Sequence, residues 1–119
     1  MTRVYVPATV RLLAALDGHG SLPVGDDVVV ATDESEDAEY DALTTAAEAS
    51  AVLAAELDPG ERRRVVVVGE VPVVGERLDL SEVVAVHADA ADPPGGVDPD
   101  DLGDLGWYAV QEIPDLLLD

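Results

Sequence analysis

The chain has no cysteine, no lysine and no phenylalanine, and only one tryptophan and one isoleucine. Without cysteine it can form no disulfide, use no thiol nucleophile and build no cysteine-based metal site. Without lysine, six arginines face 26 carboxylates, and the formal charge is −20. That balance opposes direct nucleic-acid binding, which requires cationic neutralisation of phosphates. It attracts basic partners at long range. No apolar run reaches the roughly 18 residues of a membrane-spanning helix. The opening Met1-Thr2-Arg3-Val4-Tyr5-Val6-Pro7 lacks the apolar stretch of a signal peptide. A cytoplasmic location away from membranes is the expectation. No motif for a metal or any other cofactor is present, so none is expected.

The scarce residue types lysine, asparagine, phenylalanine and isoleucine share AT-rich codons. A GC-rich genome accounts for their scarcity, and adaptation to a high-salt cytoplasm is the alternative source of the acidity. What remains for a core is valine, leucine and alanine, and small aliphatic side chains can pack to full density. A length of 119 residues suits one domain, residues 1–119, which would bury roughly two-thirds of its unfolded surface.

Arg3 to Val6 reads as a strand ended by Pro7. Thr9 can cap a helix carrying Val10, Leu13 and Leu16 on one face, closed by Gly18. His19 to Gly25 is a loop by its glycine and proline content. The apolar run Val28 to Thr32 suits a central strand covered on both faces. Asp33 and Glu36 have capping-box spacing ahead of a long helix, about Asp37 to Leu57. Its periodic positions place Leu43, Leu53 and Leu57 in the core. Four consecutive valines, Val65 to Val68, are the strongest strand signal. Val71 to Leu80 follows no regular pattern, Ser81 to Asp89 is a further strand, and Ala90 to Gly106 is a loop with one helical turn at Pro99 to Leu102. Trp107 to Val110 returns to strand character, and Gln111 to Leu118 forms a short helix with Pro114 in its first turn. The fold class is therefore α/β (α+β). A mixed four- to five-stranded sheet carries two main helices packed on it and a short C-terminal helix, with parallel neighbours where helices intervene.

Several short segments are similar to a family of short acidic actinobacterial proteins without an established activity. They are Arg3-Val4-Tyr5-Val6-Pro7-Ala8-Thr9, Glu39-Tyr40-Asp41-Ala42, Val83-Val84-Ala85-Val86-His87-Ala88-Asp89 and Trp107-Tyr108-Ala109-Val110-Gln111-Glu112. The resemblance implies a bacterial cytosolic origin and favours codon bias over salt adaptation, but transfers no catalytic role. Trp107 to Leu117 also resembles the end of Nudix hydrolase domains. The glutamate-rich Nudix catalytic pattern is missing, so this likeness reduces to a strand-to-helix ending.

His87 and Asp89 are the best chemical pair, since two residues apart on a strand they share a face. They could supply a general base or two metal ligands. The plainer reading is a strand-end histidine bonded to its neighbour or to water. Asp92, Asp98, Asp100, Asp101 and Asp104 suggest a cation loop. Asp98, Asp100 and Gly103 match the first, third and sixth positions of a calcium loop, but Leu102 and Ala109 stand where ligands are needed. Arg62, Arg63 and Arg64 could clamp a phosphate or carboxylate, or neutralise nearby acids at a turn. Trp107 and Tyr108 face opposite ways on a strand, which puts one in the core and leaves the other for an interface. With no complete catalytic constellation, the leading reading is a non-catalytic acidic interaction module with a basic protein partner. One alternative is a small hydrolase or metal-binding enzyme using His87, Asp89 and the acidic loop. The other is a nucleic-acid mimic that binds a basic protein.

Overall fold

The computed structural model describes residues 1–58, 60–92 and 103–118. Seven strands and three helices occur among them: β1 (Thr2–Ala8), α1 (Val10–His19), β2 (Ser21–Pro23), β3 (Val29–Val30), α2 (Glu36–Ala54), β4 (Val65–Val71), β5 (Arg77–Asp79), β6 (Val83–Ala88), β7 (Gly106–Tyr108) and α3 (Ile113–Leu117). Five strands form one sheet in the order β3-β1-β4-β6-β7, and β2 pairs with β5 in a separate ribbon. The fold is α+β.

Every described strand pair is antiparallel. The parallel neighbours expected from strand–helix alternation do not occur. The reason is that neither helix is a crossover between adjacent parallel strands. α1 leads into the β2–β5 ribbon instead of returning to the sheet, and α2 carries the chain from one side of β1 to the other.

The valine run lies at the centre of the sheet, and Val65, Val66, Val67 and Val68 are all buried. Because side chains alternate across a strand, Val65 and Val67 point to one face and Val66 and Val68 to the other. The first face is covered by α1, α3 and the ribbon. Leu13 and Leu16 of α1, Leu22 and Leu78 of the ribbon, and Ile113 and Leu116 of α3 pack there. The second face is covered by α2, which lies on β1, β4 and β3.

Local chemistry sets the helix boundaries. Thr9 caps α1 as expected, with Oγ1 accepting from Leu12 N at 3.2 Å. Gly20, rather than Gly18, closes the helix in the left-handed region at φ 80°, a conformation glycine adopts without strain. The cap of α2 is Ser35, whose Oγ accepts from Ala38 N at 3.2 Å. Asp33 instead accepts from Ser35 N at 2.7 Å, bracing the cap from outside.

Four further local expectations fail. Val29 and Val30 form a two-residue edge strand with Val30 45% exposed, because β1 is their only strand partner among the described residues. The loop at 19–25 and the irregular stretch at 71–80 each hold a strand, since Ser21-Leu22-Pro23 pairs with Arg77-Leu78-Asp79. Two three-residue strands far apart in sequence carry too little periodicity to be read singly. On α2 the buried stripe is made of small residues, among them Ala38, Ala42, Ala46, Ser50 and Ala54. Leu53 points outward, and Leu43 and Leu57 are only half-buried. Small residues let the helix axis approach the sheet closely, and this sets the helix face where size-based periodicity misplaces it. The helical turn expected at 99–102 lies outside the described residues.

Candidate functional site

The second face of the sheet is only partly roofed. α2 reaches over β3, β1 and β4, and the surface of β6 and β7 lies beside it. Two cavities open along this step, of about 440 and 360 Å³. They meet at Tyr40, Leu43, His87 and Trp107.

His87 faces this cleft from the regular part of the β4–β6 ladder, opposite Val66 of the second face, and a β-bulge lies beyond it. In the β4–β6 ladder Val68 pairs with Ala85 and Gly69 with Val83, so Val84 has no opposite residue. The extra residue reverses the alternation. Val83 therefore packs in the first-face core, whereas Ala85 belongs to the second-face core and His87 lines the cleft beyond it. A Cβ at Gly69 would lie 2.7 Å from Leu78 Cδ1, so any larger residue at the bulge would force the buried Leu78 side chain to shift.

His87 stands directly opposite Trp107 in the β6–β7 ladder. Burial alone pushes the His87 imidazole below its ordinary pKa, so the ring is neutral at pH 7. Trp107 is 61% exposed and Tyr40, on the facing helix, 57%. Tyr40 Oη lies 3.4 Å from Asp104 Oδ1. The stripe Tyr40, Thr44 and Glu48, spaced by four along α2, lines the wall of the larger cavity. The smaller cavity ends at Arg3, whose guanidinium is held between Glu39 at 3.1 Å and Glu70 at 2.9 Å. Tyr5 beside it has its hydroxyl pKa raised by burial and by the charge of Glu39.

Asp89 follows β6 and faces the start of β4. Its Oδ2 accepts from Arg64 N and Nε, both at 2.9 Å, and its Oδ1 accepts from Arg64 Nη2 at 2.7 Å. Arg64 Nη2 also donates to Gly103 O at 2.7 Å, which ties down the loop that enters β7. Both oxygens of Asp89 are thus engaged by Arg64, so the carboxylate is committed to closing the sheet end beside His87.

The arginine triplet is dispersed. Arg62 Nε donates to Leu57 O at 2.7 Å, while its backbone N–H donates to Asp92 Oδ1 at 2.8 Å. Arg63 is buried against α3, with Nη2 donating to Leu116 O at 2.7 Å and Nη1 buried without a partner among the described residues. Arg64 alone of the three lines the cleft. The geometry does not bring them together as an anion clamp.

Asp92 accepts from the backbone N–H groups of Gly60 and Arg62 and so stabilises the turn before β4. Asp98, Asp100 and Asp101 lie outside the described residues. His19 ends α1, which covers the first face, so the two histidines are on opposite sides of the sheet. Among the described residues no group of three or more histidine, aspartate and glutamate side chains converges so as to hold a metal ion. None of the described helices is long and apolar enough to cross a membrane.

Trp107 and Tyr108 divide as strand alternation requires: Tyr108 packs against the first-face core, and Trp107 stands in the cleft. Sequence reasoning missed Glu48 and the placement of Tyr40, and it read Asp104 as part of a cation loop rather than as a wall of this cleft. The four-residue spacing of Tyr40, Thr44 and Glu48 marks a common helix face, but nothing in it identifies β7 as the opposite wall. Comparison with curated proteins and with solved structures gives no match. A model of a family of unknown function, DUF6912, matches residues 2–117, and the chain belongs to that family.

Proposed function

We propose that the protein is a non-catalytic acidic interaction module that docks a basic segment of a partner protein on the β6–β7 side of its second face. The observation that carries this reading is Trp107, the only tryptophan, standing 61% exposed in a cleft. Large aromatics are enriched among residues that dominate binding energy. The charge of −20 supplies the other half of the argument. It speeds encounter with a basic partner, and the aromatic cleft gives that encounter a fixed register.

The alternative, a small hydrolase or metal-binding enzyme, draws support from His87 alone. A neutral imidazole in a cleft is the state a general base needs, but Asp89 is engaged by Arg64 and does not orient it. A nucleic-acid mimic would share the basic partner while needing no aromatic anchor.

Amide chemical-shift mapping of the full chain with a short basic peptide tests the proposal at physiological salt. Shifts concentrated on residues 40–48, 84–87 and 104–108, and abolished by Trp107→Ala, are the expected result. Shifts spread evenly over the acidic surface and indifferent to Trp107 would favour the mimic. No shifts at all would overturn docking.

A further inference from the structure

The docking reading leaves open which side chain of the partner enters the cleft, and the larger cavity is specific on that point. Its walls combine two exposed aromatics, Trp107 and Tyr40, with two carboxylates, Glu48 and Asp104. Neither carboxylate has a cation within ion-pair distance, although all six arginines are described. The only cation in the lining, Arg64, directs its Nε and Nη2 to Asp89 and Gly103. An anion entering here would meet two unneutralised carboxylates. A cation would meet them together with aromatic surface.

Resting on the docking reading, we propose that the cavity is an arginine-recognition pocket, in which a guanidinium from the partner lies against Trp107 and Tyr40 and donates to Glu48 and Asp104. A guanidinium is planar, stacks on aromatic faces and is weakly hydrated, so it enters a half-apolar cleft at lower cost than an ammonium. Its several N–H donors can serve two carboxylates at once. The neutral ring of His87 forms part of the floor without repelling the cation. The charged and titratable groups around that ring are Glu48, Tyr40 and Glu39 of α2, Arg64 before β4, Asp104 before β7, and Arg3 and Tyr5 of β1. Protonation of His87 would place a positive charge beside the guanidinium and weaken binding.

Trp107 is the only tryptophan, so its fluorescence reports on the pocket directly. The full chain is titrated with a short basic peptide containing one arginine, and with the same peptide carrying lysine or neutral citrulline at that position. The expected result is a saturable change in Trp107 emission with arginine, and affinity at least about tenfold weaker with citrulline, the loss typical of removing one charged partner. Lysine should fall between them. The double variant Glu48→Gln/Asp104→Asn should lose about tenfold for the arginine peptide, with its citrulline affinity unchanged. Both side chains are exposed, so the fold should tolerate the change, and an unaltered melting temperature checks this. Affinity should also fall between about pH 7.5 and 5.5 in the wild type, and not in His87→Gln. Equal affinity for arginine and citrulline, or an unaffected double variant, would overturn the pocket. If chemical-shift mapping still placed the peptide on the cleft, docking would survive that failure. Absence of shifts with every peptide would overturn docking and pocket together.

Discussion

The two faces of the central sheet are built from different materials. On the first, Leu13, Leu16, Leu22, Leu78 and Ile113 are each no more than 1% exposed, and three separate elements interlock over the valines. On the second, one helix lies on the sheet through alanines and Ser50, and a step of open surface remains beside it. The first face is organised for burial of large side chains. The second combines close backbone approach with a cleft whose aromatics and carboxylates stay accessible. If the proposed docking holds, stability and recognition lie on opposite sides of the same four valines.

The largest effect should come from the pair that closes the second face. The side chains of Arg64 and Asp89 are 8% and 15% exposed, so Asp89→Ala leaves a largely buried guanidinium without its counter-charge. A loss of about 3–5 kcal/mol is expected by denaturant unfolding. A loss near zero would mean that water replaces the carboxylate, and that this end of the sheet is wetter than its geometry implies.

On the first face, Leu16→Ala should cost about 2–5 kcal/mol, since the side chain is fully buried and its neighbours come from several elements. Ser50→Ala probes the second face at its tightest point. Ser50 Oγ donates to Ala8 O at 2.7 Å and accepts from Val65 N at 2.8 Å, joining α2 to the end of the β1–β4 ladder. The variant leaves two buried backbone groups unpaired, and about 1–3 kcal/mol should be lost. Leu53→Ala, on the outer side of α2, should change stability by less than about 0.5 kcal/mol. If Leu53 proved as costly as Leu16, the helix would be rotated from the placement described and the contrast between the faces would disappear.

The smallest effect is confined to a pH window. Burial holds the folded pKa of His87 below its ordinary value of 6.5. Above about pH 6.5 both the folded and the unfolded chain are neutral at this position. Below it the unfolded chain takes up a proton that the folded chain resists, so stability falls as pH falls. Urea midpoints compared at about pH 7.5 and 5.5, above the carboxylate range, should drop less in His87→Gln than in the wild type. Equal drops would assign the pH dependence to another group.

Much of the first face was legible in the sequence. The valine run, the Thr9 cap, the Leu13 and Leu16 stripe and the helix bearing Pro114 all follow from local rules. The second face was less so, for two physical reasons. Size-based periodicity favours leucine over alanine, whereas α2 turns its small residues to the sheet and leaves Leu53 outside. Residue type alone also cannot supply register. His87 and Trp107 each stood out, but their meeting depends on the β6–β7 ladder. The pairing of His87 with Asp89 was reasonable from strand parity. It omitted that Arg64 stands opposite Asp89 across the β4–β6 pair and takes the carboxylate.

The position of β1 has a consequence for the order of folding. This first strand ends up flanked by β3 and β4, and its long ladder joins Thr2 to Val71 and Ala8 to Val65. A ribosome delivers β1 well before either neighbour. Through the synthesis of α1 and α2, the apolar Val4 and Val6 therefore have no β4 to pair with. Non-local ladders of this kind close slowly, and unpaired apolar strands are the segments from which misassembly starts. The nascent chain must remain open until the valines of β4 emerge. A dense negative charge, which keeps unfinished chains apart, is well suited to that interval.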